Sequence, residues 1–370
     1  MGRRIAVIGG GVAGCAVAWA AARRGAELRL YEASDALGGV ARQGDHRSLC
    51  GLAAIDAAQP ELLEPDLSAP WLAQVATGAP QRRGRVWLWP SHGQALAAGL
   101  DRLCAHAGVK IQLGSSLKSL GRHGQGYVLN LSDGSWLADD LVDASGGGEV
   151  AAMLDLAQRS AGQWGALRGT IALAPDLVTA WCDPQQRPAL LRRLYRALGK
   201  EGAQPPALSL EPADQGLWQL GVDAASWSEV ALAKWQVAAQ ALEARVVQGP
   251  QEFVSRDGGG HAGELSLDQL FAQEQRGLCW LAWPYEWHDA GGVRWRWPSR
   301  AFYGLPPTVL QPYADHPQFY AIGRGMAVSP AAAAALRVTG SAWHIGAALG
   351  QRLGNQGERK TGAQILRVSQ

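Results

Sequence analysis

The segment IAVIGGGVAGCAVAWAAARRGAELRLYE, residues 5–32, constrains this chain more than any other. An apolar run, Arg4–Ile8, leads into Gly9-x-Gly11-x-x-Gly14. An alanine-rich stretch, Val12–Arg24, follows, and a second apolar run, Leu28–Glu32, ends on an acid. The two runs read as buried parallel strands and the stretch between them as a helix, together one βαβ unit of about 30 residues. Each glycine has its own duty. Gly9 permits the tight strand-to-helix turn, Gly11 lets backbone N–H groups approach a pyrophosphate, and Gly14 lets helix and strand pack closely. Val12 and Ala13 open the helix, where unpaired amides and the positive dipole end favour phosphate. Glu32 stands 18 residues after Gly14, where its carboxylate accepts bonds from ribose hydroxyls and disfavours a 2′-phosphate. The chain is expected to bind an unphosphorylated dinucleotide.

Composition narrows the class. Of 370 residues 47% are hydrophobic and 18% charged, which suits a packed globular chain. A formal net charge of +2 predicts no nucleic-acid or polyanion partner. Cys15, Cys50, Cys104, Cys182 and Cys279 lie far apart with no CxxC or Cys/His cluster, so no metal site is expected and a cytoplasmic location suits the thiols. Neither a signal peptide nor a membrane span is expected. The 16 Trp against 4 Phe need a home.

The predicted fold is α/β: a discontinuous Rossmann-like domain with an α+β substrate domain built on a mixed sheet. The first domain is assembled from residues 1–45, 92–155 and 305–355. Residues 46–91, rich in proline, and 156–304 form the second, and 356–370 are a flexible tail. Within the first domain, Gly93–His106 reads as a helix, with strands at Val109–Leu113, Tyr127–Leu131, Leu141–Ala144 and Phe319–Ile322. Pro330–Leu349 reads as a closing helix with Gly350 past its end.

After Glu32 and Ala33 come Gly38-Gly39-Val40-Ala41-Arg42. Here the chain resembles the glutathione-reductase-like and p-hydroxybenzoate-hydroxylase-like superfamily of FAD-dependent oxidoreductases, whose members continue from the ribose acid into a Gly-Gly pair. HGQALAAGLDRLCAHAGVKIQLGSSLKSL is similar to the superfamily's helix-then-strand insertion, which brings Leu117 towards the adenine. Asp143-Ala144-Ser145-Gly146 resembles its DATG turn, and HPQFYAIGRGMAVSPAAAAALRVTGSAWHIGAAL its C-terminal flavin segment. The resemblance implies FAD as cofactor, held by Gly9, Gly11, Val12, Ala13, Gly14, Glu32, Ala33, Gly39, Val40, Arg42, Leu117, Gly146, Gly323 and Arg324. Gly323-Arg324 departs from the family's Gly-Asp, so Arg324 pairs with a phosphate or is a surface cation.

Two flavin chemistries stay open. The DASG turn and Pro330 look like the monooxygenase branch, while the Gly-Gly-x-x-Arg run and the SHGQALAAGL helix look like the amine-oxidase and renalase branch. The expected activity is therefore that of a monooxygenase or oxidase on a small aromatic or amine-bearing substrate. Alternatives are a flavoprotein that modifies a Trp of a partner protein, as in tryptophylquinone maturation, a redox-inactive flavin-binding protein, and a simple NAD-binding dehydrogenase. Trp283, Tyr285 and Trp297 are the candidate catalytic residues. Trp283, Trp287, Trp295 and Trp297 either wall an aromatic cavity or fill a core, and Trp295 and Trp297, at strand spacing, share one face. His288 is a further candidate proton donor.

Overall fold

A computed structural model describes residues 3–156, 165–199, 207–225, 228–255, 265–289 and 292–365. The chain divides into two compact units. One comprises residues 1–161, 258–285 and 296–370, and the other 162–257 and 286–295.

The first unit is built on five parallel strands in the order Phe319–Ala321, Asp140–Asp143, Arg4–Ile8, Glu27–Tyr31 and Lys110–Gln112. Side chains of a strand alternate between faces, and both faces here are apolar. Ile5 and Val7 join a core with the helices Val12–Ala22, Gly93–His106 and Thr339–Ile365. Ala6 and Ile8 point the other way, into a core with Tyr127, Leu129 and Leu131. Those three belong to an antiparallel meander, Leu117–His123, Gly126–Leu131 and Gly134–Ala138. Asp133-Gly134 turns the chain between its last two strands.

Residues 46–91 lie in the first unit, not the second. Pro65 occupies the first turn of the helix Pro65–Val75, where a missing N–H costs nothing. That helix buries Leu67, Trp71 and Val75 in the same core as Val7 and Leu28. Residues 265–285 also belong to this unit. The tryptophan excess is partly explained here. Trp71 stacks on Trp343 with ring centroids 4.7 Å apart, Trp19 lies 5.4 Å from Trp343, and Trp343 Nε1 donates to Leu67 O at 2.8 Å.

The expected closing helix is two helices, Pro330–Leu336 and Thr339–Ile365. Gly350 does not end one; it lies inside the second. Any Cβ at Gly346 or Gly350 would overlap the carbonyl oxygens of Ala13 or Val17, so these glycines let the helix lie directly on Val12–Ala22. The helix also carries the expected tail as far as Ile365, while residues 366–370 fall outside the described ones.

The second unit has one four-stranded sheet, ordered Leu208–Pro212, Trp218–Ala224, Gly165–Ala172, Arg245–Ser255. Its three pairings are all antiparallel, where a mixed sheet was expected. Only Leu208–Pro212 and Trp218–Ala224 are joined by a short connection, residues 213–217; the other two pairings join strands separated by helices in the chain. Leu167, Ile171, Leu220 and Val222 face the helices Arg187–Leu198 and Glu229–Ala241, which contribute Leu190, Leu194 and Trp235. Trp235 Nε1 donates to Leu220 O at 2.9 Å. A two-stranded ribbon, Tyr285–Asp289 with Gly292–Arg296, supplies residues 286–295 of this unit.

Candidate functional site

The carboxyl ends of the five parallel strands bring the glycine loop, the ribose acid, the Asp143 turn and Gly323 to one edge. In open α/β sheets ligands bind outside that edge. The three glycines stand in three different surroundings. Gly9 has φ +109°, and a Cβ there would overlap Ala144 O. A Cβ on Gly14 would overlap Gly9 O and approach Ala144 Cβ to 3.1 Å, so this glycine closes the helix onto the turn. A Cβ on Gly11 would meet no protein atom within 4 Å. Its backbone, φ −68° and ψ 178°, is open to any residue, so only the space beside it calls for glycine. No side chain caps the helix Val12–Ala22 that begins there, so its first amides are available to an anion.

Glu32 is held in place by the backbone. Gly10 N donates to its Oε2 at 2.6 Å and Ser34 N to its Oε1 at 2.8 Å. Each carboxylate oxygen keeps a further lone pair for a ribose hydroxyl. The segment after Gln112 runs beside it: Glu32 N donates to Gln112 O, Ser115 N to Glu32 O, and Gly114 N to Ser34 O, all at 2.9–3.0 Å. Leu117, two residues beyond Ser115, begins the meander and packs on the core containing Tyr31. Ala33 is exposed.

The second glycine pair folds back onto the first. Gly38 N donates to Gly10 O at 2.8 Å, and Gly38 and Gly11 form a parallel bridge. Gly38 has φ +108°, and a Cβ on Gly39 would come within 3.1 Å of Gly11 Cα. Val40 is 50% exposed, and Arg42 lies one turn on. The Arg42 side chain pairs with Asp35 at 3.2 Å, while its Nε is buried without a hydrogen-bond partner.

On the other side of the loop, Asp143 accepts from Ser145 N and from Ala151 N, each at 3.1 Å, and from Ser145 Oγ at 2.5 Å. Burial pushes its carboxyl above the usual range despite these donors. The turn is thereby fixed from within, and Gly146 is left exposed with open space where a Cβ would stand. Ile322 N donates to Asp143 O at 2.9 Å, setting Gly323-Arg324 beside that turn. Gly323 is exposed with open space over its Cα, and Arg324 is half-buried.

All the expected cofactor residues except Leu117 and Ala33 thus converge on the loops at this edge, and those two flank Glu32. Open space beside each of Gly11, Gly146 and Gly323, uncapped helix amides, the backbone-held Glu32 carboxylate and a buried guanidinium Nε fit a dinucleotide with a pyrophosphate. Glycine patterns alone did not reveal the Gly10 and Ser34 amides that orient Glu32, because they are backbone groups.

The aromatic candidates are not gathered here. Trp283 is buried, and its carbonyl accepts from Tyr303 Oη, a residue of the first unit's core, at 2.8 Å. Tyr285 packs on the same core half-buried. Arg85 lies over the Trp297 ring, 4.3 Å from its centroid. Trp295 and Trp297 do not share a strand face, because the strand ends at Arg296; Trp295 is 48% exposed. In the second unit, Trp287 Nε1 donates to Asp289 at 3.1 Å. His288 is buried there between two carboxylates, with Nδ1 2.5 Å from Asp223 Oδ2 and Nε2 2.9 Å from Glu286 Oε1. A cavity of about 740 Å³ lined by Trp19, Arg23, Pro65 and Asp66 opens at the opposite, amino edge of the sheet. Among the described residues no cluster of His, Cys, Asp and Glu could hold a metal ion, and no helix is long and apolar enough to cross a membrane.

The model of the FAD dependent oxidoreductase family matches residues 4–169. No curated protein sequence matches the chain. Among solved structures, a flavoprotein/dehydrogenase from Cytophaga hutchinsonii is 14% identical with a TM-score of 0.51, over 96% of this chain and 79% of that one. It shows the fold. Glycine oxidase from Geobacillus kaustophilus, 13% identical, gives a TM-score of 0.45 over 95% of this chain and 93% of that one. Anhydrotetracycline hydroxylase from Streptomyces rimosus, 14% identical, gives 0.43 over 65% of this chain and 50% of that one. The chain spans half the length of this hydroxylase, 54% of a Diels-Alderase from pyrroindomycin biosynthesis and 52% of an aromatic hydroxylase from angucycline biosynthesis. The glycine loop and Glu32 both fall within the residues that the FAD dependent oxidoreductase model matches, and FAD is the cofactor that this match indicates.

Proposed function

We propose that the chain is a monooxygenase or oxidase acting on a small aromatic or amine-bearing substrate. FAD would supply the electron-accepting chemistry, and the protein's part is to bind, orient and exclude water. The observation that carries the reading is the second unit. Residues 162–257 are inserted between Asp140–Asp143 and Phe319–Ala321, two neighbouring strands of the cofactor sheet. One face of the unit's own sheet is the apolar core. On the other, Arg168 stands opposite Gly221 and Thr170 opposite Gln219, and Asp223 follows. Asp223 is buried with His288, which makes that pair this unit's candidate proton carrier. A buried acid on such a face suits a protonated amine. Trp283, Tyr285 and Trp297 are the aromatic candidates of the first unit. Five free cysteines suit a reducing compartment, and we propose the cytoplasm.

The test is anaerobic mixing of the FAD-loaded chain with a panel of aromatic amines, amino acids and phenols. Bleaching of the flavin band by an amine, with hydrogen peroxide released in air, supports oxidase chemistry. Oxygen incorporated into an aromatic product supports a monooxygenase. A cofactor that no small molecule reduces or turns over, but that acts on a Trp-bearing protein, would replace this reading with partner-protein modification.

A further inference from the structure

We infer that Arg324 sets the redox balance of the cofactor by placing a positive charge at its flavin half. The inference rests on FAD binding at the carboxyl edge and goes beyond it in assigning one residue an electronic role.

The argument is topological. Strand order across the edge is Phe319–Ala321, Asp140–Asp143, Arg4–Ile8, Glu27–Tyr31, Lys110–Gln112. Glu32, the ribose acid, ends Glu27–Tyr31, so the adenosine half lies on that side. The uncapped helix amides after Gly11 stand at the end of the central strand, Arg4–Ile8, and take the phosphates. A dinucleotide anchored at both points has the ends of Asp140–Asp143 and Phe319–Ala321 left for its second half. Gly146 and Gly323 leave open space along that line. Arg324 follows Gly323, tied to the Asp143 turn by the bond from Ile322 N to Asp143 O.

A guanidinium stays charged at any working pH. Two-electron reduction of oxidised flavin near neutrality takes up two electrons and one proton, so the reduced form gains one negative charge. A fixed cation nearby stabilises that form over the oxidised one. A cation contacting only the phosphates would strengthen both forms alike, because the phosphate charge does not change. The two roles therefore separate in one measurement.

The experiment compares the wild-type chain with Arg324→Gln and Arg324→Lys. Dithionite, as electron donor, titrates the bound FAD against a reference dye without substrate, and FAD affinity is measured for both redox states by fluorescence. Far-UV circular dichroism and melting confirm that each variant is folded. Arg324→Gln is expected to lose at least tenfold in reduced relative to oxidised affinity, a fall of about 30 mV for a two-electron couple. Arg324→Lys, which keeps the charge, is expected to keep most of the potential. An equal loss of affinity in both states, or an unchanged potential in Arg324→Gln, overturns the inference. A wild-type chain that takes up no FAD overturns the cofactor reading and this inference with it. If Arg324→Gln does not fold, the Arg324→Lys potential decides: a fall as large as tenfold in a variant that retains the charge overturns the electrostatic role.

Discussion

Gly11 and Gly14 lie three residues apart in one motif, yet they are expected to fail in opposite ways. A Cβ at Gly11 meets nothing within 4 Å, and its φ of −68° suits any residue. Serine is also a favoured residue at a helix N-cap, the position Gly11 holds. Gly11→Ser should therefore change the stability of the cofactor-free chain by no more than about 0.5 kcal/mol. Its cost falls on the cofactor. The new side chain enters the space over the helix N-terminus and displaces phosphate from the first amides. Hydrogen bonds to a charged group are worth about 1.5–3 kcal/mol each, so losing two weakens FAD by roughly 10²- to 10⁴-fold. Gly14→Ala reverses the pattern. Its Cβ overlaps the backbone oxygen of Gly9, with Ala144 Cβ 3.1 Å away, and neither can swing aside as a flexible side chain would. Overpacking of this kind costs about 3 kcal/mol, or about 6–12 °C in Tm for a unit of this size. The assay is thermal melting with and without FAD, beside a fluorescence titration. Wild type at 100 times its Kd should gain about 2.7 kcal/mol from FAD, and Gly11→Ser should lose that gain while its cofactor-free melt stays put. The reasoning fails if cofactor-free Gly11→Ser melts as low as Gly14→Ala, or if it keeps the full FAD-induced shift.

Two further outcomes concern the core. His344 is fully buried, with Nε2 2.6 Å from Ser68 Oγ, and burial lowers its pKa to about 4. Below its unfolded value near 6.5 the unfolded chain binds the proton and the folded chain does not, so stability present above pH 6.5 is lost as pH falls towards 4. The loss is about 3 kcal/mol, and His344→Gln should flatten this part of the urea-unfolding profile; an equally steep variant would assign the slope elsewhere. Trp343→Phe should cost about 2–3 kcal/mol, since it removes the bond to Leu67 O and reduces the stack on Trp71. A change below 1 kcal/mol in chemical denaturation would show that the stack is only incidental packing.

Much of the candidate site's local geometry was legible because its requirements are local. Gly9, Gly14 and Glu32 act through a turn, a helix contact and a strand end within one βαβ unit, and period and spacing express all three. The helix Gly93–His106 was legible for the same reason, its apolar face repeating with helical period. The proline-rich stretch 46–91 was not. Its helix at Pro65–Val75 is held by Leu67, Trp71 and Val75 packing on residues distant in sequence, including Trp343. Gly350 was misjudged because a glycine at a helix end and a glycine at a helix–helix contact look alike in sequence. Only the neighbour, here Val17 O, tells them apart.

The amino-acid sequence by itself determined the βαβ unit, with its glycine turn at Gly9–Gly14 and an acid at the end of the second strand, because a tight turn and a close helix contact admit only glycine and strand length places Glu32. Tertiary structure decided how the distant loops that only the family resemblance had pointed to come to that edge. Strand order sets Gly146 and Gly323-Arg324 on one side of the glycine loop and Gln112–Leu117 on the other, and strand order is a matter of long-range pairing that no local pattern encodes. Tertiary structure also decided where tryptophan goes. Trp19, Trp71 and Trp343 meet only when three helices pack, since a large aromatic ring has no local signature separating core from binding site.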